Sequence, residues 1–243
     1  MSEIRLDKFL SVTGTLSRSE AKKAIRKGRV YVNGHPALSA DAMVDENADK
    51  ITFDAKEIVY RRFTYIMLNK PEGYVSATND PRDKTVIELL PDELQRLGLF
   101  PCGRLDKYTL GLMLLTDDGE LAHRLLAPKS HVDKSYRFGT EHGVSDEERQ
   151  RLEAGVYIEG GYLTKPCTVV LDDEAAASGT ITLREGKYHQ IKQMLEATSN
   201  KITYLERVSF GPLLLDTSLE RGEWRFLSKE EETALVAAVD KQE

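Results

Sequence analysis

Pro101-Cys102-Gly103-Arg104-Leu105-Asp106-Lys107-Tyr108-Thr109-Leu110-Gly111-Leu112-Met113-Leu114-Leu115-Thr116 is the stretch of this 243-residue chain on which its reading turns. The second half is apolar, free of charge and opened by a glycine, which predicts a buried strand over 111–116. The first half places a carboxylate beside an arginine in a loop between glycines. If residues 104–106 are extended, period-two alternation puts Arg104 and Asp106 on one face and Leu105 on the other. Alone, the tetrapeptide fits a surface ion pair worth about 0–1 kcal/mol. The blocks around it point instead to a site.

Working outward, apolar patterning from residue 63 predicts strands over 63–68, 73–77, 111–116, 135–140, 162–171, 180–184 and 202–210. Helices are predicted over 86–90, 119–126, 147–154, 190–198 and 229–239, the second ended by Pro128. Ser145 with Glu148, and Ser228 with Glu231, form capping boxes at two of these starts. Strands and helices interleave without a βαβ repeat. The fold class is therefore α+β, its larger domain built on a mixed, mostly antiparallel β-sheet with flanking helices.

The amino-terminal region differs in character. Ser17-Arg18-Ser19-Glu20 is a capping box, and the helix it opens runs to Gly28. Arg18, Lys22 and Arg26 fall at i, i+4 and i+8 and share a face, while Ala21 and Ile25 lie on another. A short strand over 29–32 is turned by Asn33-Gly34, a two-residue hairpin signal. The stretch 40–57 is weakly patterned and acid-containing. These features predict a small α/β domain over 1–58, a linker over 59–62 and a larger domain over 63–243 that includes the carboxy-terminal helix.

Net charge is −6, which by itself argues against a nucleic-acid partner. Its distribution argues otherwise. Residues 1–35 carry +5, so the remainder carries −11. Such an asymmetry suits a basic arm on a body held away from phosphates except locally. Arg18, Lys22, Lys23, Arg26, Lys27 and Arg29 are the candidate phosphate contacts of that arm.

Hydrophobic content of 40% with 30% charged residues fits a globular protein. No apolar stretch approaches the ~18–20 residues of a membrane span, and Met1-Ser2-Glu3-Ile4-Arg5 lacks a signal-peptide core. The expectation is a cytoplasmic protein without a membrane partner. Cys102 and Cys167 stand alone, and His35, His123, His131, His142 and His189 show no ligand spacing, so no metal is expected. Neither a phosphate-binding glycine motif nor a Gly-x-Ser-x-Gly elbow is present, and no cofactor is expected.

Gly103–Asp106 with Thr109, Gly111 and Leu114-Leu115-Thr116-Asp117-Asp118-Gly119 resembles the catalytic motif of the pseudouridine synthases, and most closely their RsuA-type branch, which modifies ribosomal RNA. Met67-Leu68-Asn69-Lys70-Pro71-Glu72-Gly73-Tyr74-Val75-Ser76, Lys134-Ser135-Tyr136 and Glu185-Gly186-Lys187-Tyr188-His189-Gln190-Ile191-Lys192-Gln193-Met194 resemble the family's other blocks in the same order. The amino-terminal region is similar to the RNA-binding domain named after ribosomal protein S-four. Together these resemblances cover nearly the whole chain.

The resemblance implies an isomerase that breaks the C1′–N1 bond of a uridine, turns the base and rejoins it through C5. Glycoside hydrolases need two carboxylates. Uracil leaves as an anion delocalised over two carbonyls, so a single carboxylate can suffice. By resemblance that carboxylate is Asp106, kept ionised by a cation at Lys192, where arginine is commoner in the family. Tyr136 is implied as the aromatic that stacks on the base. The nucleotide must leave its stack to be reached, and Arg104 is placed to fill the gap. Asn69-Lys70-Pro71 is read as a turn behind the site. Tyr108 and Leu110 depart from the family pattern, which expects an acid and a small hydroxyl residue there.

Tyr188-His189 resembles the branch acting on the small subunit. The expected substrate is therefore 16S ribosomal RNA, naked or in a partly assembled small subunit, and the protein a monomer. The alternatives are 23S RNA as substrate or, in another class, a non-catalytic RNA-binding assembly protein. A carboxylate-dependent glycosidase is disfavoured because no second motif carboxylate is evident.

Overall fold

The computed structural model describes residues 3–46, 48–127, 132–174 and 176–240. Two compact units divide the chain: Met1–Thr64 with Leu90–Leu99, and Tyr65–Leu89 with Phe100–Glu243.

The small unit runs β1 (Glu3–Arg5), α1 (Leu6–Val12), α2 (Arg18–Arg26), β2 (Val30–Val32), β3 (His35–Pro36), β4 (Met43–Asp45), β5 (Ile51–Phe53) and β6 (Lys56–Ile58), with the short α3 (Asp92–Gln95). The capping box of α2 is formed: Glu20 N–H donates to Ser17 Oγ at 3.3 Å, and Ser17 N–H to the Glu20 carboxylate at 2.8 Å. Asn33 and Gly34, at φ 52° and 81°, supply the two positive dihedrals of a type I′ turn, and β2 and β3 pair across it. Antiparallel order β3-β2-β5-β6 makes a four-stranded sheet, while β1 pairs with β4. Leu6, Phe9, Leu10, Ala21, Ile25, Val30, Val44 and Ile51 form the core. Residues 40–57 hold more structure than their weak pattern predicted. Three-residue strands are too short for alternation to register, and they exist because β2 and β1 offer them partners.

The large unit comprises β7 (Tyr65–Lys70), β8 (Phe100–Pro101), β9 (Leu110–Thr116), α4 (Gly119–Leu126), β10 (Lys134–Thr140), α5 (Asp146–Ala154), β11 (Tyr157–Ile158), β12 (Tyr162–Leu163), β13 (Thr168–Leu171), β14 (Ser178–Leu183), α6 (Gln190–Glu196), β15 (Ile202–Phe210), β16 (Leu213–Leu214), β17 (Trp224–Phe226) and α7 (Lys229–Asp240). Its principal sheet has the order β13-β14-β10-β15-β9-β7-β17, with β16 added on β15 and β8 on β9. All pairings among the described strands of this sheet are antiparallel except β15 with β9. The expected α+β class with a mixed, mostly antiparallel sheet holds. Every residue of β7 is buried, as are six of the seven in β9. Covered on both faces, they read as continuous apolar runs rather than alternations.

Some expectations are corrected by local chemistry. Residues 73–77 form no strand: Gly73 turns at φ 84°, and only an isolated bridge joins Val75 to Thr85. The strand expected over 162–171 divides into β12 and β13 around Pro166, which has no N–H to give a ladder. The helix expected over 86–90 is a single 3₁₀ turn, Val86–Leu89. β17 was not expected; it is a three-residue edge strand held by β7. Pro128, expected to end α4, lies outside the described residues. That helix is started by Asp118, whose carboxylate accepts from Leu121 N–H at 3.0 Å and from the Tyr65 hydroxyl at 2.6 Å.

The parallel contact of β9 with β15 sets Leu110 against Glu206 and Gly111 against Arg207. Gly111 sits at φ 96°, and a Cβ there would stand 2.3 Å from the Arg207 carbonyl oxygen and 2.9 Å from its nitrogen. Only glycine permits both the dihedral and the approach. Gly111→Ala should therefore lower the unfolding free energy by about 3 kcal/mol or more, measured by urea denaturation; a loss below about 1 kcal/mol would contradict the tight contact.

Candidate active site

The loop between β8 and β9 is held by backbone contacts on both sides. Gly73 N–H donates to Lys107 O at 2.8 Å, and Thr109 N–H to Asp106 O at 3.0 Å. Ser76 Oγ donates to Leu105 O at 2.8 Å and accepts from Leu105 N–H at 2.9 Å. Beneath the loop, Lys70 ends β7 fully buried and donates to the carbonyls of Pro71, Lys107 and Thr109 at 3.0, 3.2 and 2.9 Å. Burial pushes its ammonium down to about 8; the negative charge of Asp106 opposes that shift, and Arg207 adds to it. With the backbone fixed in this way, Leu105 is buried, Arg104 is exposed and Asp106 is half-buried, in line with the alternation expected from sequence.

Asp106 faces the start of α6. Lys192 Nζ lies 2.9 Å from Asp106 Oδ2, and His189 Nε2 lies 3.4 Å from the same oxygen. His189 precedes the helix in a left-handed conformation, φ 49°, which a residue with a side chain rarely adopts. That turn swings its ring towards the carboxylate side and onto Tyr188, with ring centroids 3.8 Å apart. Lys192, three residues later, approaches the carboxylate from the first turn of α6.

Tyr136 comes from β10, 9% exposed, and stands opposite Ile181 in β14 and Arg207 in β15. Asp106, Lys192, Tyr136, Arg104 and His189 line one cleft of about 820 Å³. The structure thus brings together Asp106, Lys192, Tyr136 and Arg104. Arg18, Lys22, Lys23, Arg26, Lys27 and Arg29 lie in the small unit, all exposed. Arg26 Nε donates to Lys22 O at 3.2 Å, and Arg29 is already engaged, donating to Asp54 at 2.8 Å and lying over the Phe53 ring.

Sequence reasoning placed Asn69 and Lys70 in a turn behind the site, whereas both belong to the buried strand β7, and it gave no role to His189, Lys134 or Arg207. Lys70 showed one signal, a lysine closing an apolar run. Arg207 showed none: it shares the less apolar parity of its strand with Thr203 and Ser209, and only the structure shows Leu205, Arg207 and Ser209 to be buried. The thiol of Cys102 is pushed up to about 12 by burial, which leaves it unreactive as a nucleophile. Among the described residues, no group of three or more His, Cys, Asp or Glu side chains is placed to hold a metal. No helix among them is long and apolar enough to cross a membrane.

Residues 64–197 match the RNA pseudouridylate synthase family, and residues 4–49 match the S4 domain. The chain belongs to that synthase family, whose members are isomerases acting on RNA, as the sequence resemblance implied. It is 46% identical over 230 residues to the uncharacterized RNA pseudouridine synthase YtzG of Bacillus subtilis, covering 94% of this chain and 96% of that one. It is 37% identical over 235 residues to the ribosomal small subunit pseudouridine synthase A of Escherichia coli, covering 96% and 100%. A crystal structure of a pseudouridylate synthase superposes with a TM-score of 0.67 at 36% identity, over 96% of this chain and 99% of that one.

Lys70 generates a pH test. In the folded chain it releases its proton near pH 8, against 10.5 for a free lysine. Between those values the unfolded chain binds more protons, so the contribution of Lys70 to stability rises with pH across that window. Lys70→Met should flatten the rise of the urea midpoint from pH 8 to 10. Equal slopes in parent and variant would show that the buried ammonium does not titrate there.

Proposed function

We propose that this protein converts a uridine of 16S ribosomal RNA to pseudouridine, with Asp106 as the single catalytic carboxylate. The observation that carries the reading is the 2.9 Å pair of Lys192 with Asp106 in a cleft shared with Tyr136. The ammonium and the carboxylate form a charge-assisted contact at the cleft. The ring of Tyr136 stacks on the extruded uracil and holds it as it turns, a contact worth roughly 1–3 kcal/mol. The C1′–N1 bond breaks with its electron pair on N1, the base rotates, and C5 bonds to C1′. The proton lost from C5 is balanced by one gained at N1, so no atom is consumed and no cofactor enters. Arg104, exposed at the cleft, fills the gap left by the flipped nucleotide.

Full-length likeness to proteins named for the small ribosomal subunit supports 16S over 23S RNA. Residues 1–58 act as the RNA-binding domain, joined through 59–62 to the catalytic domain over 63–243. Arg18, Lys22 and Arg26, with Lys23, Lys27 and Arg29, contact phosphates and give affinity more than sequence choice. The protein works as a cytoplasmic monomer.

Incubation with 16S and 23S RNA, followed by carbodiimide-blocked primer extension, locates the product. Asp106→Asn should lose at least about 10³-fold of the isomerisation rate while RNA affinity stays within about threefold; an active variant would remove the assigned role. Arg104→Ala should lower affinity or turnover, and a variant equal to the parent in both would sink that assignment. Replacing Arg18, Lys22 and Arg26 together with alanine should weaken RNA binding and reduce the salt slope by about 2. An unchanged slope places the phosphate contacts elsewhere.

A further inference from the structure

Among the described residues Arg207 is the largest fully buried side chain, 1% exposed, and it carries a charge without a carboxylate partner there. Its Nε donates to Leu112 O at 2.7 Å, Nη2 lies 3.8 Å from the Met113 sulfur, and the guanidinium stands over the Phe210 ring. Nη1 has no hydrogen-bond partner. Among the described residues no buried side-chain nitrogen or oxygen lacks one, so Nη1 opens onto the cleft that Arg207 lines. It lies on the Gly103 side, 4.0 Å from where a Cβ on that glycine would stand.

Lys134 lines the same cleft and is half-buried. Its ammonium donates to Val132 O at 3.0 Å and is pushed down by burial and by the charge of Arg207. Asp133, the nearest acid in sequence, is taken by Arg184 at 2.7 Å. Two unneutralised cations in a half-enclosed cleft are costly unless a negative group arrives there. Tyr136 stands directly across the strands from Arg207, so a base stacked on Tyr136 presents its edge to that guanidinium.

We infer that Arg207 and Lys134 form an electrophilic floor that receives the carbonyl oxygens of the uracil and stabilises the negative charge they acquire when the C1′–N1 bond breaks. The inference rests on the proposed role of the cleft. The electron pair of the broken bond moves to N1 and spreads to O2 and O4, and the two cations meet it without moving a proton. The charge is already in place, so little reorganisation is required.

The test compares Lys134→Met and Arg207→Met with the parent on uridine-containing and 5-fluorouridine-containing RNA, in single turnover at saturating enzyme. The variants should slow glycosidic cleavage of the uridine substrate about 10²–10³-fold while RNA affinity changes less than about threefold. Fluorine stabilises the departing anion through the ring, so the same variants should lose at least about tenfold less on the fluorinated substrate. Lys134→Arg should recover most of the rate.

A defect of equal size on both substrates would overturn the inference, since a structural role does not depend on the leaving group. So would an unchanged rate, or a loss confined to affinity with a reduced salt slope, which would mark a phosphate clamp. Should Arg207→Met fail to fold by thermal melting, Lys134→Met carries the comparison. Asp106→Asn assayed in parallel separates the two levels: full activity there removes the reading of the cleft itself, whereas an inactive Asp106→Asn with leaving-group-independent defects removes only the floor.

Discussion

At Gly111 two strands run backbone against backbone with no side chain between them, and the rest of the cleft follows from that contact. β9 carries the loop of Asp106 at its start. β15 carries Arg207 and lies beside β10, the strand of Tyr136. A Cβ at Gly111 would overlap the Arg207 carbonyl and force the strands apart. Groups distant in sequence reach one cavity because one residue has no side chain.

The carboxylate is then held by what surrounds its backbone. Lys70 is spent on three carbonyls, two of them in the loop of Asp106, and Ser76 grips Leu105 from the other side. A loop fixed at these points keeps Asp106 in one position, where Lys192 and His189 approach a single oxygen. Preorganisation of this kind lowers the cost of ordering groups at the moment of reaction. The strained turn at His189 belongs to the same arrangement: an unfavourable dihedral persists where the packing around it leaves no alternative.

The large unit is unusual in its distribution of positive charge. Lys70 and Arg207 are fully buried, Lys134 is half-buried, and Lys134, Arg207 and Lys192 line one cleft, while the chain beyond residue 35 is net acidic. Acids on the body repel RNA phosphates in general, and a cationic cleft attracts negative charge at one place. The small unit shows the opposite pattern, with its basic residues outward on α2 and on the turn that follows. The two distributions differ in kind: one spreads positive charge over an exposed surface, and the other gathers it in a cleft.

Periodicity and capping residues determined much of the chain by themselves. The strand over 202–210 and the helix over 119–126 occur with the limits read from sequence, because local pattern and tertiary packing agree there. Ordered motifs also gave the family and the four cleft residues Asp106, Lys192, Tyr136 and Arg104. Short strands such as β5 and β17 were illegible, since three residues carry no period and exist only where a neighbour pairs with them. The same limit hid Arg207 and Lys70. An arginine or lysine in a sequence reads as surface, and only the closed sheet shows that its charge is buried. Burial and the absence of a counter-ion are properties of what surrounds a residue in space, and linear order does not encode them locally.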